Sequence, residues 1–123
     1  MLYKIVKRIN PLNREEVKFY AEPSWTNELG VKGLCELISN ASSVNSSDVR
    51  AVLEAILFYL PRELMNGTKI RLDDFGIFKM SFHSEGQEDE KLVDASKISN
   101  PRILFLPGKE LKSALENATY TKR

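Results

Sequence analysis

Between Val49 and Leu64 the apolar residues Val49, Val52, Leu53, Ile56, Leu57, Leu60 and Leu64 recur at i, i+3, i+4 and i+7; from Ile70 onward apolar residues recur at every second position. A helix presenting that wide stripe must hand the chain to a sheet within a few residues. Asn66-Gly67 supplies the stop, because glycine ends a helix in the left-handed conformation without a Cβ penalty. Asn45 or Ser46 caps the start, and Asp48 sits near the positive end of the helix dipole. Pro61 removes one backbone bond and crowds the carbonyl of Leu57, which predicts a kink. A first helix is expected to begin after Thr26 as its cap. It carries Val31, Leu34, Leu37 and Ile38 at helical spacing and ends in Ser39-Asn40-Ala41-Ser42-Ser43.

Beyond the long helix, Ile70 and Leu72 share one strand face with Lys69 and Arg71 on the other, and Phe78, Met80 and Phe82 alternate with Lys79, Ser81 and His83. Phe75-Gly76-Ile77-Phe78 is expected to close a tight turn between these strands, Gly76 taking positive φ while both rings reach the core. From Ser84 to Ser99 the chain is polar, with Glu85, Glu88, Asp89, Glu90 and Asp94 against Lys91 and Lys97, a net charge of −3, and reads as a mobile excursion. A third strand, Ile103 to Leu106, returns to the sheet. Pro107-Gly108-Lys109 ends it and opens a last helix to Asn117 with Leu111 and Leu115 inward.

At the front of the chain Tyr3, Ile5 and Ile9 fall on one parity and Lys4 and Arg8 on the other, so residues 1–22 are expected to form a β-hairpin around Asn10-Pro11-Leu12-Asn13. Pro23 and Trp25 end it, with Trp25 packing at the junction. Capping the domain is the simplest role for this hairpin; pairing with a partner chain, or offering Lys4, Lys7, Arg8 and Lys18 to a polyanion, are the others. The tail, residues 119–123, is short, basic and expected to fray. Helices followed by a meander imply an α+β fold, one helical layer on one antiparallel sheet.

At 123 residues the chain is about one domain, and 42% hydrophobic with 28% charged residues excludes global disorder. A formal charge of +1 is far from the strongly basic balance of most nucleic-acid binders, so any such reading rests on local charge. Cys35 is the lone cysteine, in an apolar helical stretch, which points to a buried thiol and a reducing, cytoplasmic compartment. No apolar run reaches the ~18 residues of a membrane span. Asp74-Phe75-Gly76 matches the metal-binding tripeptide of protein kinases, but no catalytic-loop motif precedes it. With His83 the single histidine, a Cys/His zinc site is absent too. These residues carry no enzyme reading, no metal site, no cofactor and no small-molecule substrate.

The Phe75-Gly76-Ile77-Phe78 turn and the Phe105-Leu106-Pro107-Gly108-Lys109-Glu110-Leu111-Lys112 segment, behind two amphipathic helices, resemble the HU/integration host factor family of bacterial histone-like DNA-bending proteins. The resemblance spans roughly Thr26 to Asn117. It implies an intertwined homodimer, with helices in a shared core and three-stranded sheets forming a saddle with β-arms that reach the minor groove. It divides the chain into an N-terminal hairpin extension (residues 1–25), an HU-like domain (residues 26–118) and the tail. Lys109, at a helix start that offers free backbone donors to a phosphate, is the position carried over. Arg102, Arg71, Lys69, Lys79 and Lys112 are further phosphate contacts by charge and element position. Departures from the family pattern fall at Ser81 and His83, where arginines are usual, and at Leu106, where lysine is. By residue count, Asp89-Glu90-Lys91 falls near the arm tip in place of the wedging Arg-Asn-Pro.

Two functions fit this sequence. One is a sequence-tolerant, nucleoid-associated architectural DNA-binding homodimer. The other is a protein-interaction or scaffolding module that keeps the fold and has lost DNA affinity, as the near-neutral charge and acidic arm allow.

Overall fold

The alternation at the front of the chain produces β1 (Leu2–Asn10) and β2 (Asn13–Pro23), antiparallel with Tyr3 opposite Pro23 and Ile9 opposite Val17. The intervening turn is closed by its own asparagine: the Leu12 amide donates to Asn10 Oδ1 at 3.0 Å, and Asn10 Nδ2 donates to Glu16 at 2.8 Å. That bond, together with one from Lys18, holds the Glu16 carboxyl below its ordinary pKa. The structure, a computed structural model, describes residues 1–123.

The two helices are α1 (Val31–Ala41) and α2 (Ser46–Met65), which lie against each other. Helix α1 starts five residues after Thr26, with extended Gly30 as its cap and no side-chain capping bond. Thr26 lacks the Glu or Gln three residues on that a reciprocal capping box requires, since Leu29 stands there. Helix α2 follows its local signals closely. Asn45 Oδ1 accepts the Asp48 amide at 2.9 Å, and α2 continues through Pro61 as one element. At its end Gly67 (φ 84°) donates to the Leu64 carbonyl and Thr68 to Glu63, the paired bonds of a Schellman motif.

A second sheet, ordered β3-β4-β5, consists of β3 (Ile70–Leu72), β4 (Gly76–Ser84) and β5 (Ile98–Pro107). Helix α2 lies against β3 and β4, and α3 (Lys109–Glu116) follows β5. The β3–β4 turn sits one step earlier than the sequence implies. Asp73 (φ 42°), Asp74 and Phe75 make it, and Gly76 is already the first residue of β4. Gly76 does take positive φ, at 149°. Its ring neighbours are only partly covered: Phe75, Phe78 and Phe105 cluster with centroids 4.8 and 5.8 Å apart, yet Phe75 remains exposed.

Three expectations are corrected. The excursion from Ser84 to Ser99 is built rather than loose at its base: His83 pairs with Ser99, Ser84 with Ile98, and the Glu85 amide donates to the Lys97 carbonyl. The tail does not fray. Residues Thr121–Lys122 form β6, parallel to β1, making the sheet order β2-β1-β6, and the Met1 ammonium donates to the Thr119 carbonyl at 2.7 Å. Nor does the hairpin cap anything in its own chain. Its apolar parity, with Ile5, Ile9, Val17 and Phe19, is exposed, and Trp25 at the junction is 80% exposed.

The apolar stripe of α2 is likewise uncovered. Val49 and Leu64 are buried, whereas Val52, Ile56 and Leu57 are exposed, Leu57 at 70%. Cys35 is buried, as its apolar surroundings imply. Only 5 of 123 residues are buried, and the chain presents 10696 Å² to solvent. A compact protein of its mass would present about 6,700 Å².

Where the chain does pack tightly, backbone meets backbone. A Cβ on Gly108 would lie 2.2 Å from the Asp74 carbonyl oxygen, and one on Gly76 would lie 2.5 Å from that of Leu106. Gly76→Ala and Gly108→Ala should each destabilise the folded protein by at least about 2 kcal/mol. Gly86→Ala, which meets nothing within 4 Å, should stay within about 0.5 kcal/mol. Urea unfolding at fixed protein concentration measures all three.

Candidate nucleic-acid interface

Strand register decides which cations stand together. Residues directly opposite in an antiparallel ladder share a face, and here Arg71 faces Ile77, Lys79 faces Leu104 and Ser81 faces Arg102. Arg71, Lys79 and Arg102 thus project from one side of the sheet. Lys69 precedes β3 by one residue, on the same parity as Arg71. Between them lie Ile77, Leu104 and Leu106. The opposite side carries Ile70, Leu72, Phe78, Met80, Ile103 and Phe105.

Lys109 and Lys112 reach this array from its edge. With Arg71 they line an open groove of about 600 Å³ between α3 and the β3–β4 turn. The groove also holds Asp73, Asp74 and Glu116, so three acids offset three cations there. Sequence reasoning gave these acids no part in the site, because only the folded turn brings residues 73–74 against residue 116. The ion pairs of the chain are Arg8–Glu22, Lys18–Glu16 and Arg50–Glu54. None of the six sequence-predicted cations is among them, and each remains available to an anion.

The start of α3 departs from expectation in one respect. Its backbone donors are partly spent: the Gly108 amide donates to the Phe75 carbonyl at 2.9 Å and the Glu110 amide to Asp74 at 3.3 Å. These bonds fix α3 to the turn, so its start is not an open helix end and Lys109 lines the groove with its side chain. The close contacts of Gly108 and Gly76 hold the same junction, whose groove Lys109 and Arg71 both line.

Ser81 and His83 lie on the parity of Lys79, so the departures from the family pattern fall on the cationic face itself. Between them a bulge on β5 interrupts the ladder, where Asn100 takes φ 52°. Asn100-Pro101 is therefore a bend within β5 and not an arm tip. The arm beyond contains two single-turn 3₁₀ segments, Glu90–Leu92 and Ala95–Lys97. Asp89 accepts the Lys91 amide at 3.1 Å, and Asp94 accepts both the amide and the hydroxyl of Ser96. Two of the five arm acids thus have a structural use as caps.

The chain can now be placed among known proteins. The family described as "HU domain fused to wHTH, Ig, or Glycine-rich motif" matches residues 1–122. The chain belongs to this HU-HIG family. The match takes in the N-terminal hairpin as well as the helices, the central sheet and α3. Integration host factor subunit alpha of Proteus mirabilis is 28% identical over 88 residues, 70% of this chain and 90% of that protein. DNA-binding protein HU of Thermus thermophilus is 29% identical over 86 residues, 68% of this chain and 88% of that protein. A crystal structure from Bacteroides vulgatus, described as that of a candidate bacterial DNA-binding protein, superposes with a TM-score of 0.63 at 15% identity. It covers 98% of this chain, which spans 47% of that longer one. At that identity the likeness concerns the fold. The HU-HIG chain is thus a divergent HU-like α+β protein with three helices and two three-stranded sheets.

The Ser96 hydroxyl, and then its amide, hold the Asp94 carboxyl below the ordinary range. Ser96→Ala should raise the Asp94 pKa toward the usual carboxylate value in an NMR pH titration. Because the folded pKa is the depressed one, the cap's contribution is present above the unfolded pKa and is lost as pH falls through the folded one.

Proposed function

We propose that the HU-HIG chain is a non-enzymatic, sequence-tolerant architectural protein of the nucleoid that binds duplex DNA as a homodimer. One observation carries this reading: Lys69, Arg71, Lys79 and Arg102 share a sheet face, Lys109 and Lys112 adjoin it, and no carboxylate pairs with any of the six. Such an array neutralises phosphates, releases counterions and reads no bases, and the names of the HU and integration host factor relatives accord with it. Minor-groove entry by the arm is the weaker part, since the arm carries −3 and no wedging proline at its tip.

The exposed surface supports dimerisation. The chain exposes roughly 4,000 Å² more than a compact protein of its mass, more than the roughly 1,000–2,500 Å² that each side of an obligate interface commonly buries, so a dimer would use only part of it. The uncovered stripe on α2 has the helical spacing to meet its own copy. Stability should therefore rise with protein concentration.

The acids of the groove favour a second reading, an HU-fold scaffolding module with weak DNA affinity. Substitution separates the two. Lys109→Glu combined with Arg102→Glu should abolish retardation of a short duplex, and the native slope of log affinity against log salt should reach several times −0.9. Asp73→Asn removes a groove charge and keeps a residue type that tolerates the left-handed region, so it should tighten duplex binding several-fold. A native protein that leaves duplex unretarded even at low salt would favour the scaffold instead. A monomer in sedimentation would sink the dimer.

A further inference from the structure

Trp25 is the single tryptophan of the chain and stands 80% exposed, although tryptophan is on average a highly buried residue. It lines an open groove of about 430 Å³ with Lys4, Arg8, Glu22, Pro23, Ser24 and Arg123. That groove lies on the charged parity of the N-terminal sheet, where Lys4 stands opposite Glu22 and Arg8 opposite Lys18.

The backbone beneath Trp25 is held firmly. The Ser24 amide donates to the Leu2 carbonyl and the Arg123 amide to Tyr3, both at 2.9 Å. Arg123 Nη1 donates to the hydroxyl of buried Ser24 at 3.0 Å. One guanidinium donor is thus spent on positioning, and the others remain for a ligand. Glu22, the one acid in the lining, is paired with Arg8. Lys4 and Arg123 have no carboxylate partner.

An exposed indole lining one groove with unpaired cations suits a nucleobase and its phosphate, since every base has a face to stack and the cations track the backbone. A protein partner is the rival occupant for an exposed tryptophan. The apolar side chains suited to one, Ile5, Ile9, Val17 and Phe19, lie on the opposite face of the same sheet. We infer that the Trp25 groove is a second nucleic-acid site, taking an unpaired nucleotide by stacking its base on Trp25 and setting its phosphate against Lys4 and Arg123. This site is separate from the central sheet face and does not depend on the reading given to it.

The lone tryptophan makes the test direct. Oligothymidylate added to the full chain at low salt should quench the intrinsic fluorescence to saturation, and the affinity read from it should fall with a slope of log affinity against log salt of about −0.7 per phosphate contacted. Anisotropy of a labelled oligothymidylate should show Trp25→Ala weakening binding about tenfold, with Trp25→Phe recovering most of it. The Lys109→Glu, Arg102→Glu chain should still show the quenching. Fluorescence unmoved by oligothymidylate would overturn the inference, as would equal quenching by inorganic polyphosphate, which has no base to stack. Loss of oligothymidylate binding in the double variant but not in Trp25→Ala would move single-strand binding to the central sheet. A fluorescence shift that follows protein concentration alone would assign the groove to contact between copies.

Discussion

Burial is the constraint on which the other features of this chain depend. Leu64 and Cys35 are fully enclosed, while most of the α2 stripe, the apolar parity of the N-terminal hairpin and part of the phenylalanine cluster face solvent. Ordering a chain of this length opposes folding by on the order of 100 kcal/mol in lost conformational entropy, and apolar burial is the main term that offsets it. A single copy uses only part of that term, hiding about half of the roughly 20,000 Å² that an unfolded chain of its mass exposes, where a compact protein hides about two thirds. The helices and sheet therefore persist through what covers them, which we propose is a second copy, and a variant that weakens the shared core would act on folding and assembly together.

Against this uncovered background, one junction is packed tightly, backbone against backbone and against the Phe105 ring. The β3–β4 turn, Gly76 at the head of β4 and Gly108 before α3 approach so closely that neither glycine has room for a methyl group. Three consequences come from one contact. The turn is pinned, α3 is fixed against it by the Gly108 and Glu110 amides, and Lys109 is placed beside Arg71. The same contact brings Asp73 and Asp74 among the cations. Whatever anion this groove takes, its attraction to the lysines is discounted by the carboxylates that line the same groove.

The features that were legible in the sequence are those whose signals are local. The Asn45 cap, the Asn66-Gly67 stop, the parity of the hairpin and the shared face of Lys69, Arg71 and Lys79 each depend on residues within a few positions of one another. The start of α1 was misplaced because Thr26 is a capping residue type without the acid that completes the box. The β6 pairing was illegible because two residues carry no period and their partner lies at the other end of the chain. Arg102 was placed with the other cations by its charge, although the bulge at Asn100 reverses the parity of everything before it in β5. The groove acids and the Trp25–Arg123 neighbourhood are products of tertiary contact, and no spacing in the sequence encodes them.

Charge distribution decides how these surfaces can act together. A net charge of +1 gives no strong long-range field, so encounter with a polyanion is not steered as it is for a basic protein. The arm opposes that encounter with −3, yet its acids lie beyond Ser84–Ile98, the last ladder pair of the β4–β5 ribbon. At physiological salt the screening length is about 8 Å, so charge at the far end of the ribbon is felt only weakly at the sheet face. Unpaired cations within contact distance of a phosphate are screened far less. Rising salt would thus weaken the arm's repulsion first and the direct contacts later, and the balance there is set by the four cations of the sheet face and the two lysines beside it against the three groove acids. Recognition by such a protein is short-range: it depends on which side chains touch a phosphate or a base, and hardly on the charge of the chain as a whole.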